Sequence, residues 1–168
     1  TAEILDEEMA ERVRLHRARR NDGRWVNHEA LYHAEEEFAK LGEDTGAVLF
    51  DCLTLYMTNQ MYGKTAIEGS FQERCNFVLR EVDKLLEAAR ACGKLVVFVS
   101  NEVGCGIVPD NLMAREYRDL AGWVNQKVAD ACGIGVPTLN DIVTELLKPG
   151  RDVRDSLPQP VLRSDLLS

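Results

Sequence analysis

The sequence predicts an α/β fold with a parallel sheet. Two short, uninterrupted apolar segments, residues 47–50 and 95–99, have the character of strands that are buried on both faces. Segments with the apolar periodicity of amphipathic helices, residues 71–91 and 112–132, follow the two strands in turn. An alternation of buried strands and helices is typical of parallel sheets, in which ligands bind at the carboxyl ends of the strands.

Two further helices are predicted before the first strand. Residues 6–20 carry acidic side chains at the start and arginines near the end, an arrangement that complements the helix dipole. A turn at residues 21–25 separates this helix from a second one over residues 28–41, which Gly42 ends.

The character of the sequence changes after Gly133. Four of the five prolines lie beyond this residue. We predict a short helix over residues 139–147, closed by the Lys-Pro-Gly sequence that follows. The remaining residues are expected to be extended and to lie on the surface, without a strand that joins the sheet.

The bulk composition limits the classes of function. A chain of 168 residues with 45% hydrophobic residues can bury the core of one domain, with or without an appendage. Its net charge of -8 opposes broad binding to nucleic acid or to an anionic membrane, although a local basic pocket for a nucleotide is compatible with it. Because we see neither an apolar run of about 18 residues nor a signal-peptide pattern, we expect no membrane span and a cytoplasmic protein.

The five cysteines are widely spaced and form no C-x-x-C pair. This spacing favours buried, reduced thiols over a zinc site or a disulfide framework, which stay as the alternatives. The histidines likewise show no metal-ligand spacing, and His28 and His33 are expected to be exposed.

Asp51 directly follows the first apolar strand. A carboxylate in this position suits Mg²⁺, which binds one or two carboxylates together with phosphate oxygens. The alternative is an aspartate that caps the next helix, since Asp is favoured at helix N-termini. Both interpretations are open at this point.

His16 lies among arginines in the segment RVRLHRARR. Nearby cations disfavour the protonated imidazole, so this histidine is expected to be neutral and therefore nucleophilic. Neighbouring guanidinium groups would bind the phosphate that it attacks. The alternative is a solvent-exposed histidine at the end of a basic helix.

Asn101 and Glu102 follow the second strand and lead into a loop with two glycines. Gly104 and Gly106 allow the backbone to approach a ligand closely. A polar strand end of this kind predicts a ligand-binding loop. The alternative is a structural connection to a helix capped by Asp110.

Taken together, these segments resemble a known family. The blocks ILDEEMAERVRLHRARR, LFDCLTLYMTN and VSNEVGCGIVPDNLMAREYRDLAGWVNQKVA, together with Trp25 and Glu29, are similar to the bifunctional adenosylcobinamide kinase/adenosylcobinamide-phosphate guanylyltransferases of cobalamin biosynthesis. The resemblance covers residues 1–132. It implies a P-loop NTPase-like (RecA-like) fold with a parallel sheet flanked by helices.

The resemblance also implies an activity. Members of this family phosphorylate the aminopropanol hydroxyl of adenosylcobinamide with a nucleoside triphosphate, GTP or ATP. They then transfer GMP from GTP to the product through a GMP-histidine intermediate, with Mg²⁺ as the metal. It implies as well a homo-oligomer with shared sites, while the acidic charge of the chain leads us to expect no nucleic-acid partner.

Individual site residues are carried over from the family motifs. His16 matches the histidine that takes GMP, and Asp51 matches the acid expected to bind Mg²⁺. The loop beside the site is expected to include Asn101, Glu102 and Gly104. Nine residues are expected to contact the nucleotide: Thr1, Ala2, Glu3, Arg17, Ala18, Arg19, Arg20, Glu29 and Asp51.

The sequence departs from the family pattern in two places. It holds no G-x-x-x-x-G-K-[ST] motif, and the GKT at residues 63–65 is interpreted as a coincidence in a loop because no strand precedes it. We therefore expect a family domain over residues 1–132 that lacks the first strand with its P-loop and the last strand, with weak or absent kinase activity.

Residues 133–168 are expected to form an appended tail. Within it, residues 136–167 resemble the connector before the S1 domain of Tex-like transcription accessory proteins, which bind RNA. The tail gives the alternative function, a non-catalytic or RNA-associated fragment, but it has no aromatic platform or basic stripe of the kind that RNA binding needs. A further alternative is a general α/β phosphotransferase for another nucleotide, which a guanine preference in a thermal-shift assay would exclude.

Overall fold

The computed structural model describes residues 1–3, 6–19, 23–104, 106–132 and 141–146. Within these residues the chain forms five helices and three strands. In chain order they are α1 (Glu7–Arg19), α2 (Ala34–Phe38), β1 (Ala47–Asp51), α3 (Leu53–Tyr62), α4 (Phe71–Ala91), β2 (Leu95–Asn101), α5 (Leu112–Cys132) and β3 (Asp141–Leu146).

The predicted α/β fold with parallel strands is confirmed. β1 and β2 pair in parallel, with Ala47 opposite Leu95 and Asp51 opposite Val99. The carboxyl ends of both strands therefore meet at one edge of the sheet. β2 continues two residues beyond the predicted end, to Asn101.

The core lies between this sheet and the helices that pack on it. Phe50 of β1 contacts Phe98 of β2 and Tyr56 of α3, each with ring centroids 5.5 Å apart. Phe98 and Tyr56 are fully buried, which stabilises the fold by about 1.5–3 kcal/mol for each large side chain. This aromatic group fixes the start of α3 against both strands.

The two long helices have the predicted bounds. α4 begins with a capping box in which Ser70 and Glu73 exchange hydrogen bonds, and its buried face includes Cys75, Val78 and Val82. α5 buries Leu120, Val124 and Val128 on one face. Outside the core, Trp123 of α5 stacks on Phe71 of α4 at 5.9 Å.

The predicted helix over residues 28–41 is wrong in extent. Only Ala34–Phe38 is helical. His33, immediately before it, has a φ of 49°, a left-handed conformation that cannot continue a right-handed helix toward the N-terminus.

The prediction for the C-terminal segment is also wrong where the structure describes it. Instead of a helix over residues 139–147, Asp141–Leu146 forms β3, which pairs antiparallel with β2 from Val96 to Asn101. We also expected no strand after the last helix, and the presence of β3 shows that this expectation is wrong. β-branched residues at positions 142–144 favour a strand, and the free edge of β2 supplies the hydrogen-bonding partners.

The described cysteines behave as predicted. Cys52, Cys75 and Cys132 are buried, Cys92 is half-buried, and none of these four forms a disulfide. Cys105 lies outside the described residues. In the part of the chain that the structure covers, no helix is long and apolar enough to cross a membrane.

Candidate functional site

The candidate site is built at the edge where β1 and β2 end. Asp51 is the last residue of β1, and Asn101 is the last residue of β2, two positions beyond the partner of Asp51. Asp51 is half-buried and Asn101 is exposed. The strand ends thus present a carboxylate and an amide at the same edge of the sheet, offset by two residues in register.

Asp51 does not cap the following helix. The N-cap of α3 is Cys52, which makes no side-chain capping bond. On α5, the first turn is capped by Asn111, whose side-chain oxygen accepts from the Ala114 amide at 2.7 Å, rather than by Asp110. The structural alternatives considered for the two aspartates are therefore not observed.

Thr1 lies directly on the end of β1. Its hydroxyl accepts from the Cys52 amide at 2.8 Å and faces the carbonyl oxygens of Asp51 and Cys52 at 3.0 and 3.1 Å. The Thr1 carbonyl accepts from the side-chain amide of Asn59 at 2.9 Å. The structure therefore brings two predicted site residues, Thr1 and Asp51, together.

Asn59 anchors this arrangement from α3. The same amide donates to the carbonyl of Leu31 at 3.0 Å, and the residue is 7% exposed. One buried side chain thus connects α3, the segment before α2 and Thr1. Because a buried amide that lost these partners would be costly, the contacts hold the three segments in one arrangement.

Glu3 is joined to a loop that the sequence did not mark as part of the site. Its carboxylate lies 3.4 Å from the Tyr32 hydroxyl and 3.4 Å from the Lys64 ammonium. The Tyr32 oxygen also accepts from the Lys64 amide at 3.0 Å. Lys64 belongs to the GKT segment, which follows α3 rather than a strand, as expected, yet it places a cation beside Glu3.

Arg17 and Glu29 form an ion pair between α1 and the segment before α2. Both side chains are exposed, and both belong to positions that the family resemblance implies as nucleotide contacts.

The remaining residues of the basic helix are only partly described. His16 lies on α1 next to Arg17, and its side chain is outside what the structure describes, as is that of Arg19; Arg20 lies outside the described residues altogether. Arg12 and Arg14 pair with Glu8 and Glu11 on the same helix, each at 2.6 Å. Ala18 is exposed and Ala2 half-buried.

The loop after β2 is fixed at its base. The Asn101 amide donates to the Thr54 hydroxyl at 2.9 Å, which joins the end of β2 to the first turn of α3. One residue earlier, the buried Ser100 hydroxyl donates to Asn125 of α5 at 2.6 Å. The side chain of Asn101 is left exposed at the strand end as a result.

Glu102 and Gly104 form the next turn of the loop. The Glu102 carboxylate accepts from the Gly104 amide, so this acid turns back on its own loop. A Cβ atom at position 104 would lie 2.6 Å from that carboxylate, so the Glu102 side chain would have to move if another residue replaced the glycine.

Sequence reasoning missed the residues that hold this edge together. Thr54 and Asn59 on α3 and Lys64 in the loop after it make contacts to predicted site residues, but a polar side chain gives no local sign of a partner that is distant in sequence. The adjacent polar residues Asn59 and Gln60 within the apolar segment 53–62 are a sequence signal that points to one of them.

Comparison with known proteins agrees with the family resemblance. A family described as "Cobinamide kinase / cobinamide phosphate guanyltransferase" matches residues 1–143. The "Bifunctional adenosylcobalamin biosynthesis protein CobU" of Escherichia coli is 38% identical over 148 residues, and the match covers 81% of each chain. The protein of the same name from Salmonella typhimurium is 38% identical over 152 residues, again with 81% of each chain covered.

A third relative is the "Bifunctional adenosylcobalamin biosynthesis protein CobP" of Pseudomonas aeruginosa, 33% identical over 134 residues, with 79% of this chain and 70% of that protein covered. These matches give no support to the likeness of residues 136–167 to Tex-like proteins, which stays a prediction. The matched family and the identities, which extend over most of both chains, show that this chain belongs to the cobinamide kinase/cobinamide phosphate guanyltransferase family of cobalamin biosynthesis.

Proposed function

We propose that the edge formed by the ends of β1 and β2 binds a guanine nucleotide and that His16 accepts GMP from it. The observation that carries this proposal is the set of hydrogen bonds that holds Thr1 on the end of β1 at Asp51 and Cys52, and the Arg17–Glu29 ion pair gives further support. Four segments that are distant in sequence supply these residues, and each matches a nucleotide-contacting position implied by the family resemblance.

His16 would act as a neutral nucleophile. One ring nitrogen attacks the α-phosphorus of GTP, a P–N bond forms, and the bond to the bridging oxygen breaks, so that pyrophosphate leaves with the electron pair. The phosphate of adenosylcobinamide phosphate then attacks the same phosphorus, the P–N bond breaks, and the nitrogen recovers its electron pair. Both displacements balance without an oxidant or a reductant.

Arg17 would bind the phosphates of the nucleotide. Its present partner, Glu29, is 71% exposed at the side chain and Arg17 is 52% exposed. An exposed ion pair contributes only about 0–1 kcal/mol, so a triphosphate can replace Glu29 at little cost. The planar guanidinium suits bidentate binding to phosphate oxygens.

Asp51 is the residue that would hold Mg²⁺. A half-buried carboxylate at a strand end, beside a bound triphosphate, offers the oxygen ligands that this ion takes in nucleotide sites. When bound, Mg²⁺ supplies positive charge that stabilises the pyrophosphate leaving group. The protein's own contribution is to hold the Asp51 backbone through Thr1.

The loop after β2 would contact the corrinoid. Asn101 and Glu102 supply polar groups at its base, and the following residues expose a run of large apolar side chains: Ile107, Val108, Leu112 and Met113. Ile107 is 97% exposed. Side chains of this kind, on the loop and in the first turn of α5, are suited to the broad face of a large ring system. A cytoplasmic location, which rests on the sequence patterns described above, and a homo-oligomer, which rests on the family resemblance, belong to this proposal.

Incubation with GTP labelled at the α-phosphate tests the nucleophile. Wild type is expected to incorporate label, and His16→Asn is expected to incorporate none. His28→Asn is the matched control, because His28 lies outside the proposed site and pairs with Glu37. Equal labelling of wild type and His16→Asn would overturn the assignment, as would loss of label in the His28 control alone.

A further inference from the structure

A second cluster of ligand-type side chains lies away from the β1–β2 edge, between α2 and α4. His33, Glu35 and Glu81 each direct one possible ligand atom into it, and these atoms all lie within 4.8 Å of one another. His33 precedes α2, Glu35 lies in its first turn, and Glu81 lies in the middle of α4. The cluster therefore spans two elements that are more than forty residues apart.

The cluster has buried carboxylate oxygens that the described residues do not fully satisfy. Oε2 of Glu35 is buried and has no hydrogen-bond partner, while Oε1 lies 3.5 Å from the His33 ring. Glu81 is 5% exposed, and its Oε1 pairs with the Lys84 ammonium at 2.7 Å. Lys84 pairs with Glu81 but the described residues give Glu35 Oε2 no donor, so a cation held by both carboxylates would lower the cost of keeping them ionised.

A second buried polar atom without a partner among the described residues is the hydroxyl of Tyr56, which belongs to the same core as Ala34 of α2 and Val82 of α4. Tyr56 is fully buried, and its hydroxyl has no hydrogen bond of ordinary geometry. Burial raises the pKa of this phenol, and the charges of Glu35 and Glu81 act in the same direction. The Ala34 amide and the Gln60 side chain lower the pKa of the phenol, but neither forms a hydrogen bond of ordinary geometry with the Tyr56 hydroxyl.

We propose that His33, Glu35 and Glu81 bind one divalent transition-metal ion of the Zn²⁺ type. Imidazole nitrogen together with carboxylate oxygen is a donor set for Zn²⁺ and its neighbours, whereas Mg²⁺ and Ca²⁺ prefer oxygen alone. Three protein ligands leave a position for water.

The ion would fasten α2 to α4. Zinc ligands lie about 2.0–2.2 Å from the metal, so the three donor atoms must draw closer together on binding. α2 has five residues, a length that is not stable as an isolated helix. The same segment carries Tyr32, which contacts Glu3, so the metal would also steady one side of the candidate nucleotide site.

Titration of the full chain with Zn²⁺ tests the site, with stoichiometry from equilibrium dialysis and the midpoint of thermal unfolding as a second readout. We expect one ion per chain and a rise in Tm of about 5–10 °C at a hundredfold excess over Kd. Co²⁺ is expected to bind without a thiolate charge-transfer band, because no cysteine belongs to the cluster.

Two variants carry the test. His33→Asn tolerates the left-handed backbone while removing the imidazole, and Glu35→Gln removes one carboxylate at a half-buried position. Each is expected to weaken Zn²⁺ binding at least tenfold and to remove most of the rise in Tm. His28→Asn and Glu36→Gln, on the same segment but outside the cluster, are the matched controls and should bind as wild type does.

Three results would overturn the proposal. They are unchanged binding in both His33→Asn and Glu35→Gln, a Co²⁺ spectrum with thiolate character, and no binding of Zn²⁺ at millimolar concentration. Each readout is independent of nucleotide chemistry, so failure here is distinguishable from failure of the GMP-transfer proposal.

Discussion

The hydroxyl of Thr1 hydrogen-bonds to both backbone groups of Cys52, with the amide at 2.8 Å and the carbonyl at 3.1 Å. This contact joins residues 51 positions apart and holds the first described residues on the end of β1. Because of this contact, Thr1, a predicted nucleotide contact, and Asp51, the predicted Mg²⁺ ligand, lie at the same edge of the sheet.

Asn59→Ala is expected to destabilise the fold by about 2–3 kcal/mol. The substitution leaves the buried carbonyl groups of Thr1 and Leu31 without their donor, and each loss costs free energy of unfolding. Urea denaturation measures the difference. Asn76→Ala is the control, since Asn76 is exposed on α4 and should cost less than about 0.5 kcal/mol. Equal losses in the two variants would contradict the anchoring role.

Gly63→Ala is expected to cost about 1–3 kcal/mol. An added Cβ would collide with the Tyr32 hydroxyl and the Asn59 carbonyl, and the backbone carbonyl has little room to move away. Gly46→Ala is the matched control, because a Cβ there meets nothing within 4 Å. Thermal unfolding of both variants gives the comparison, and a neutral Gly63→Ala would show that Tyr32 and Lys64 are not packed as described.

Arg17→Ala is expected to leave stability nearly unchanged and to weaken GTP binding about ten- to hundredfold. The ion pair with Glu29 is exposed, whereas a charge-assisted contact to phosphate contributes about 1.5–3 kcal/mol. Isothermal titration with GTP and Mg²⁺ measures the effect. Arg14→Ala is the control, because Arg14 pairs with Glu11 on α1 and has no assigned phosphate role. A similar affinity for Arg17→Ala and wild type would exclude Arg17 from the nucleotide site.

Stability is expected to fall between about pH 9 and pH 11. Burial raises the pKa of the Cys75 thiol from 9.0 to about 11, so the unfolded chain loses this proton first as the pH rises. Stabilisation from the buried neutral thiol is complete below pH 9 and is lost through pH 11, with a slope of at most about 1.4 kcal/mol per pH unit.

Urea denaturation across this range, with Cys75→Ala against Cys92→Ser, isolates the contribution of Cys75. The slope should be shallower in Cys75→Ala and unchanged in Cys92→Ser, which alters a half-buried thiol near the end of α4. Identical slopes in all three proteins would assign the alkaline instability to other groups.

Most of the fold could be predicted because its main elements have strong local signals. α4 and α5 combine a long apolar face with clear stop signals, and their bounds agree with the prediction. The segment before β1 has no such face, so the left-handed His33 was not foreseen. β3 was predicted as a helix because the open edge of β2, which is a tertiary feature, decides its conformation.

The candidate site was predictable only in part, for the same physical reason. Asp51 and Asn101 follow apolar strands and are therefore marked by their position, whereas Asn59 and Lys64 act through contacts with distant segments. Glu81 gives a weak sequence signal of a second polar cluster. It is an acid three residues after Val78 on the buried face of α4, and a charge at such a position needs a partner.

Peptide mapping by mass spectrometry after incubation with GTP and Mg²⁺ is the most direct test of the central claim. A single GMP adduct on His16 that is stable to alkali and labile to acid is the predicted result. Two results would contradict it. One is an adduct on Lys64, the lysine beside Glu3, and the other is turnover of GTP without any adduct on the protein.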